Sequence, residues 1–336
     1  MEEKLLYLAS SLVGRLSRTA KTLDPKSVKS ILVAKRDEIG DMIYALEVIR
    51  RISTNYSKAK IVVYCKAMNN ALVNSLPFKT EIINNASELN KYYDVQVDLR
   101  GDWSTLRRAL FGGCSWYFER GSIRLNNKLS GGQTHEFVTN REIVRPLIQE
   151  TWDANDLHRL DIHPDQLTSA KNLVGGIESE EYCVMHCGAR DLARRWPAEK
   201  FANLAQEIQA NYKIKTVLVG SEGEKEVIDQ VATLAGDATF NLSGKTSLME
   251  LAAIIRNASF FIGNESGPLH FAILERTPLV ALFSKGVKDV FYPLFPNQHV
   301  IHYFKESNHT NQDADNSTIH QITVSEVFER IKTFQT

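Results

Sequence analysis

SFFIGNESGPLHFA, residues 259–272, reads as an apolar strand (Ser259 to Gly263), a polar turn, and a helix with apolar residues at helical spacing. Ser266 is a strong N-cap and Pro268 suits the first helical position, so a helix starts here with its amide groups unpaired. A helix start at the carboxyl end of a parallel strand is a ready site for a phosphate or pyrophosphate. Glu265 is the odd member, because a carboxylate repels a phosphate. It suits hydrogen bonds from hydroxyls, and His270, one turn on, can donate to an oxygen. The segment therefore reads as a site for a sugar joined to a diphosphate. The plainer alternative is an ordinary capped strand, turn and helix.

The same arrangement stands near the front of the chain. SILVA (Ser30 to Ala34) is strand-like and is followed by KRDEIGD and MIYALEVIRRI. Ile43, Leu46, Ile49 and Ile52 repeat at three-residue intervals and give that helix one buried face. Gly40 permits a tight turn, and Asp41 lies where the helix dipole favours a carboxylate. There it can cap the helix or serve as a general base; residue physics alone favours the cap.

A chain of 336 residues exceeds the usual single core, so two domains are expected. Its 43% hydrophobic and 24% charged residues are those of an ordinary globular protein. Cys65, Cys114, Cys183 and Cys187 are scattered without zinc-site spacing and read as reduced thiols of a cytoplasmic protein, with no metal site. No apolar run is long enough to span a bilayer.

The N-terminal LLYLASSLVG reads as an amphipathic helix with Leu5, Leu8, Leu12 and Leu16 on one face, and Lys4, Arg15, Arg18 and Lys21 elsewhere. The pattern suits a peripheral contact with the inner membrane and equally a helix packed on the protein's own surface; the second is the expectation. Residues 1–150 carry 23 Lys and Arg against 16 Asp and Glu, a net of +7, whereas residues 151–336 carry 17 against 24, a net of −7. The basic half suggests an anionic partner or mutual attraction of the two halves. Nucleic acid is not the expected partner, since the basic residues are not clustered with interleaved aromatics as in single-strand binders.

Strand-like runs at 30–35, 60–65, 81–84, 94–98 and 115–118 alternate with helical stretches near 41–53, 68–75, 103–111 and 136–149. In the second half, strands are expected at 181–186, 215–220, 259–263 and 278–283, and helices near 197–210, 223–235, 247–256 and 268–275. Such alternation implies parallel sheets covered on both faces. The expected architecture is α/β, two Rossmann-like domains facing across a cleft. Residues 1–28 form an amphipathic extension, 29–150 the first domain, 151–180 a connector and 181–336 the second domain. KESNHTNQDADNST (305–318) reads as a polar loop.

Six motifs in order resemble glycosyltransferase family 9, the bacterial heptosyltransferases of lipopolysaccharide core assembly. They are ILVAKRDEIGD, THEFVTN (134–140), HCGARDLARRWPAEKFANLAQEI (186–208), TVLVGSEGEKEVI, NLSGKTSLMELAAII and NESGPLHFA. The resemblance implies a GT-B fold and an inverting transfer from a nucleotide-diphosphate sugar, heptose from ADP-heptose, onto an anionic glycan or lipopolysaccharide acceptor. Residues 29–150 would bind the acceptor and 181–336 the donor. Asp41 matches the family's general base, and Arg194 a family lysine that contacts the donor phosphates. Lys245, Thr246 and Ser247 lie in a turn able to reach phosphate or ribose, and Glu265, Ser266, Gly267 and His270 match the donor signature.

Arg36, Arg120 and His135 are the acceptor-binding candidates. Arg107, Arg108 and Arg124 read by default as a solvated face, and Trp196 as a packing anchor. The only Asp-x-Asp, Asp313 and Asp315, lies in the polar loop, so metal independence is expected, and no cofactor. Glu265 replaces the family's aspartate, Ser284-Lys285-Gly286 stands where the family has a Gly-Pro-Thr-like loop, and Asp37-Glu38 adds charge before Asp41. These departures leave two alternatives open. One is a nucleotide-sugar epimerase or hydrolase on the same scaffold; the other is a non-catalytic nucleotide-sugar binder.

Overall fold

The apolar runs fold into two α/β units, Met1–Asp161 and Ile162–Thr336. The computed structural model describes residues 2–18, 23–130, 132–148, 150–177, 181–284, 288–302 and 318–334. The readings on Lys21, on Lys285 and Gly286, and on the polar stretch with Asp313 and Asp315 lie outside these residues.

Unit 1 contains α1 (Glu2–Arg18), β1 (Ser30–Lys35), α2 (Ile39–Asn55), β2 (Lys60–Cys65), α3 (Asn70–Asn74) and β3 (Glu81–Ile83). It continues with β4 (Tyr93–Arg100), α4 (Trp103–Leu110), β5 (Cys114–Glu119), α5 (Gly121–Ser130) and α6 (Glu136–Val144). Its sheet is parallel, in the order β3-β2-β1-β4-β5. Ile31, Leu32, Val33 and Ala34 of β1 are buried, as a strand covered on both faces requires, and α2 buries Ile43, Leu46, Ile49 and Ile52.

Unit 2 contains α7 (Pro164–Val174), β6 (Tyr182–His186), α8 (Ala198–Tyr212), β7 (Lys215–Leu218), α9 (Lys225–Ala235), β8 (Thr239–Asn241) and α10 (Leu248–Arg256). It closes with β9 (Phe261–Asn264), α11 (Gly267–Leu274), β10 (Leu279–Phe283), α12 (Lys288–Phe291), β11 (Gln298–His302) and α13 (Val324–Lys332). This sheet is also parallel, in the order β11-β10-β9-β6-β7-β8. Its core is drawn largely from α8, α9 and α13 packed on β6 and β10, with Phe201, Leu204, Ile228 and Ile331 buried.

Several elements differ from the sequence reading. β8 and β11 are the two sheet edges, short or half-buried, and carry no continuous apolar run. α7 lies inside the stretch read as a connector: Pro164 is its first residue, with His163 as N-cap. The larger difference is α1, whose leucines point out, Leu5, Leu8, Leu12 and Leu16 being 54%, 50%, 60% and 64% exposed. The helix docks instead through its small residues. Ser10 Oγ donates to Glu119 Oε2 at 3.3 Å, and Ser17 Oγ meets the Tyr117 amide at 3.2 Å and carbonyl at 3.4 Å. A leucine face would hold the helix too far away for a serine to reach the backbone of β5, an edge strand that these bonds cover.

Candidate functional site

In an open parallel sheet, ligands gather beyond the carboxyl ends of the strands where the strand order reverses. In unit 1 that point lies between β1 and β4, and Lys35 and Arg100 end those strands. Buried Lys35 places Nζ 2.8 Å from Asp37 Oδ2 and 2.5 Å from Glu136 Oε1. Arg120 reaches both carboxylates, Asp37 Oδ2 at 3.7 Å and Glu136 Oε2 at 3.0 Å. Arg124 donates to Glu136 Oε2 at 3.0 Å, and Arg100 Nη1 to Asp37 Oδ1 at 2.5 Å.

Asp41 sits beside this network in the first turn of α2. Burial raises its carboxyl to about 6; Lys35 opposes the rise, and Asp37 and Glu136 add to it. Glu136 has the reverse outcome. Burial opposes its ionisation, but Lys35 and Arg120 outweigh burial and hold it at about 2. Two neighbouring carboxyls are thus driven apart, one by burial and one by its ion pairs. Asp37, Asp41 and Glu136 each bring one oxygen within 4.8 Å of the others. Lys35 and Arg120 already supply positive charge to that cluster.

The acceptor candidates do not form one group. Arg120 belongs to the buried network, whereas Arg36 donates to the Asn84 carbonyl at 2.9 Å and lies over the Tyr64 ring. His135 is the N-cap of α6, its Nδ1 accepting from the Phe137 amide at 3.1 Å, and packs edge-on against Tyr44. Beside Arg120 is a cavity of about 240 Å³ lined by Tyr7 and Ser10 of α1, Asp98 and Arg100 of β4, and Trp103 of α4. Tyr117 donates to Asp98 at 2.8 Å on its floor, and burial raises the Asp98 carboxyl to about 6.

In unit 2 the strand order reverses between β6 and β9, which end in His186 and Asn264. Asn264 is fully buried: its Oδ1 accepts from the Trp196 amide at 3.1 Å, and its Nδ2 donates to the Cys187 and Gly188 carbonyls. It thus ties the loop after β6 to the turn after β9. Trp196 is buried and its Nε1 donates to the Ile322 carbonyl at 2.9 Å.

Ser266 is the N-cap residue of α11, but its side chain makes no capping bond. Its hydroxyl lies 2.8 Å from His186 Nδ1, whose other nitrogen, Nε2, is 3.2 Å from Glu224 Oε1. The amides at the start of α11 therefore stay uncapped by that side chain, and a Cβ built on Gly267 would meet nothing within 4 Å. Burial opposes ionisation of Glu224, yet its contact with His186 and the bonds from Ser221 hold it at about 2.

Glu265 follows β9 and is buried, 3.6 Å from Arg194 Nη1. Burial lifts its carboxyl to about 7, against the pull of Arg194. His270 is buried one turn into α11, edge-on to Phe291. Lys245 is exposed and donates to the Asn241 carbonyl at 2.9 Å; Ser247 caps α10, bonding the Glu250 amide, and Thr246 between them is half-buried. Arg194, Glu265, Ser266, Gly267 and His270 thus lie around the β9–α11 turn. Lys245, Thr246 and Ser247 occupy a separate turn before α10.

Sequence reasoning missed Lys35, Glu136, Asn264 and Glu224 as members of these sites. Glu224 carried a signal for another role, since Ser221-x-x-Glu224 is a capping box. Asn264 and Glu136 stood inside quoted motifs, but nothing local announces a partner 101 residues away, the separation of Lys35 from Glu136.

The sequence pattern of glycosyltransferase family 9 (heptosyltransferase) matches residues 115–320. The chain is 22% identical over 286 residues to the lipopolysaccharide core heptosyltransferase OpsX of Haemophilus influenzae, covering 76% of this chain and 79% of that one. The family 9 glycosyl transferase of Veillonella parvula superposes with a TM-score of 0.79 at 19% identity, over 94% of this chain and 99% of that one. The E. coli ADP-heptose lps heptosyltransferase II gives 0.67 at 23% identity, over 91% and 98%. The chain is therefore a GT-B glycosyltransferase and belongs to glycosyltransferase family 9, the heptosyltransferase family.

Proposed function

We propose that the protein is an inverting, metal-independent transferase that moves heptose from ADP-heptose onto a bacterial surface glycan or lipopolysaccharide acceptor. Unit 1 binds the acceptor and unit 2 the donor. The observation that carries the reading is Asp41, a carboxyl raised to about 6 at a helix start among ion-paired Lys35, Asp37 and Glu136. A base with that pKa is ionised near neutral pH and keeps a strong affinity for a proton.

Asp41 takes the proton of an acceptor hydroxyl as its oxygen attacks the anomeric carbon. The bond from that carbon to the diphosphate oxygen breaks, and the nucleoside diphosphate leaves with the electron pair. Negative charge then builds on the leaving group, where Arg194 and the amides at the start of α11 stabilise it. Arg194 replaces a point charge with a planar fork that can bind two phosphate oxygens at once. Glu265, held largely protonated below about 7, can donate to a sugar hydroxyl as well as accept from one. The heptosyltransferase II neighbour has ADP-heptose in its name, and this supports adenine as the base.

Calorimetric titration with ADP, GDP and UDP in the presence of EDTA tests the donor half. Preference for ADP, unchanged by the chelator, is expected. Failure of all three nucleotides to bind would remove the donor-site assignment and with it the ADP-heptose reading. Binding of ADP with no transfer to any glycan would leave the alternative of a nucleotide-sugar binder.

A further inference from the structure

α1 is inverted for a helix packed in water. Ser10, Gly14 and Ser17 face the protein, and Leu5, Leu8, Leu12 and Leu16 form a stripe on the outside along its length. α1 packs against α4, α5 and β5. Its neighbours add Trp103, Leu110, Phe111 and Leu129, so three adjoining helices and their ends carry eight of the thirteen large apolar side chains exposed among the described residues. Monomeric proteins in water rarely concentrate exposed apolar surface in this way.

On the Leu8 side of the stripe the charge is positive. At 100° per residue, Lys4 and Arg15 fall on the shoulder next to Leu8, both exposed, and Arg107 of α4 is exposed as well. Residues 1–29 hold six Lys and Arg against three Asp and Glu. We propose that this face docks on an anionic lipid bilayer, with α1 lying in the interfacial plane. An interfacial helix needs a continuous apolar stripe and basic side chains at its border, and α1 supplies both over about 25 Å. The basic shoulder is complementary to anionic headgroups. An antiparallel pair of copies that brings the two Leu8 shoulders together would instead set like charge against like charge. The inference does not depend on the donor reading.

The full chain is sedimented with phosphatidylcholine vesicles, with and without phosphatidylglycerol. Binding to the phosphatidylglycerol vesicles is expected, about tenfold weaker without the anionic lipid or in high salt. Leu8→Ser with Leu12→Ser, at side chains already in solvent, should weaken it at least about tenfold at an unchanged circular dichroism spectrum. Lys4→Gln with Arg15→Gln should weaken it several-fold. A chain that stays in the supernatant with both vesicles overturns the proposal, as does a leucine variant that binds like the parent. Light scattering without lipid gives a third route: a dimer that the leucine variant turns into monomer assigns the stripe to a second copy instead.

Discussion

Arg194 Nη1 stands 3.6 Å from Glu265 Oε1, while Glu265 Oε2 is buried with no hydrogen-bond partner among the described residues. One distant guanidinium does not offset the desolvation of this carboxyl, hence its rise from 4.5 to about 7. Between those values the folded chain keeps a proton that the unfolded chain has lost. The contribution of this group to stability is therefore full below about 4.5, falls as pH rises, and is gone above about 7. Glu265→Gln removes that fall and should be about 1–3 kcal/mol more stable than the parent at pH 8, with little difference at pH 4.5. Urea midpoints at the two pH values check this; parallel curves would refute it.

Asp41 protonated is no base. Transfer by the wild type should fall as pH drops through about 6, the value at which this carboxyl takes up its proton. Asp41→Asn should lower kcat by about 10²–10⁴ with donor affinity unchanged, as loss of a general base does. Rates across pH, paired with ADP affinity for the variant, decide the point.

Glu136 holds three cations in a buried setting, through its bonds to Lys35, Arg120 and Arg124. Glu136→Gln leaves those charges short of a partner and should cost about 3–5 kcal/mol near neutral pH. The Glu136 carboxyl is depressed from 4.5 to about 2, so its contribution is present above 4.5 and lost as pH falls towards 2. The variant's deficit should shrink over that window, which chemical denaturation at stepped pH measures. The same substitution removes a negative neighbour of Asp41 and should move the acid limb of the activity to lower pH.

Gly121 begins α5 under α1. A Cβ there would lie 2.5 Å from the Tyr7 carbonyl oxygen and closer still to Ser10 Oγ. A backbone carbonyl does not yield as a side-chain tip does, so Gly121→Ala should lift α1. An overpacking cost of about 1–3 kcal/mol should speed tryptic cleavage after Arg15 by about tenfold, with helix content retained. Unchanged cleavage would mean that α1 accommodates the methyl group in place.

Period and punctuation made the centre of each unit legible. The Ile43, Leu46, Ile49 and Ile52 repeat marked α2 and its buried face, and the apolar runs at 30–35, 60–65 and 278–283 marked β1, β2 and β10. The β9 turn was legible as a place where a helix begins. The destination of its serine was not, because His186 comes from a strand 80 residues earlier. Amphipathicity showed that α1 has two unlike faces but not which one faces the protein. That depends on β5, an edge strand whose backbone needs hydroxyls and close approach rather than leucine. Glu136 was hidden for a related reason: sequence shows a carboxylate, and only the fold brings Lys35 and two arginines to it.

The docking of α1 bears on the order in which unit 1 can be completed. Its serines bond Tyr117 and Glu119, 100 and 109 residues further along the chain. During synthesis this helix leaves the ribosome well before the strand that receives it, with neither of its faces yet covered. Chain closure over so long a loop is slow, and until it is complete the serine face lies as open as the leucine face remains afterwards. The first helix of the unit is therefore among the last of its parts to find its place.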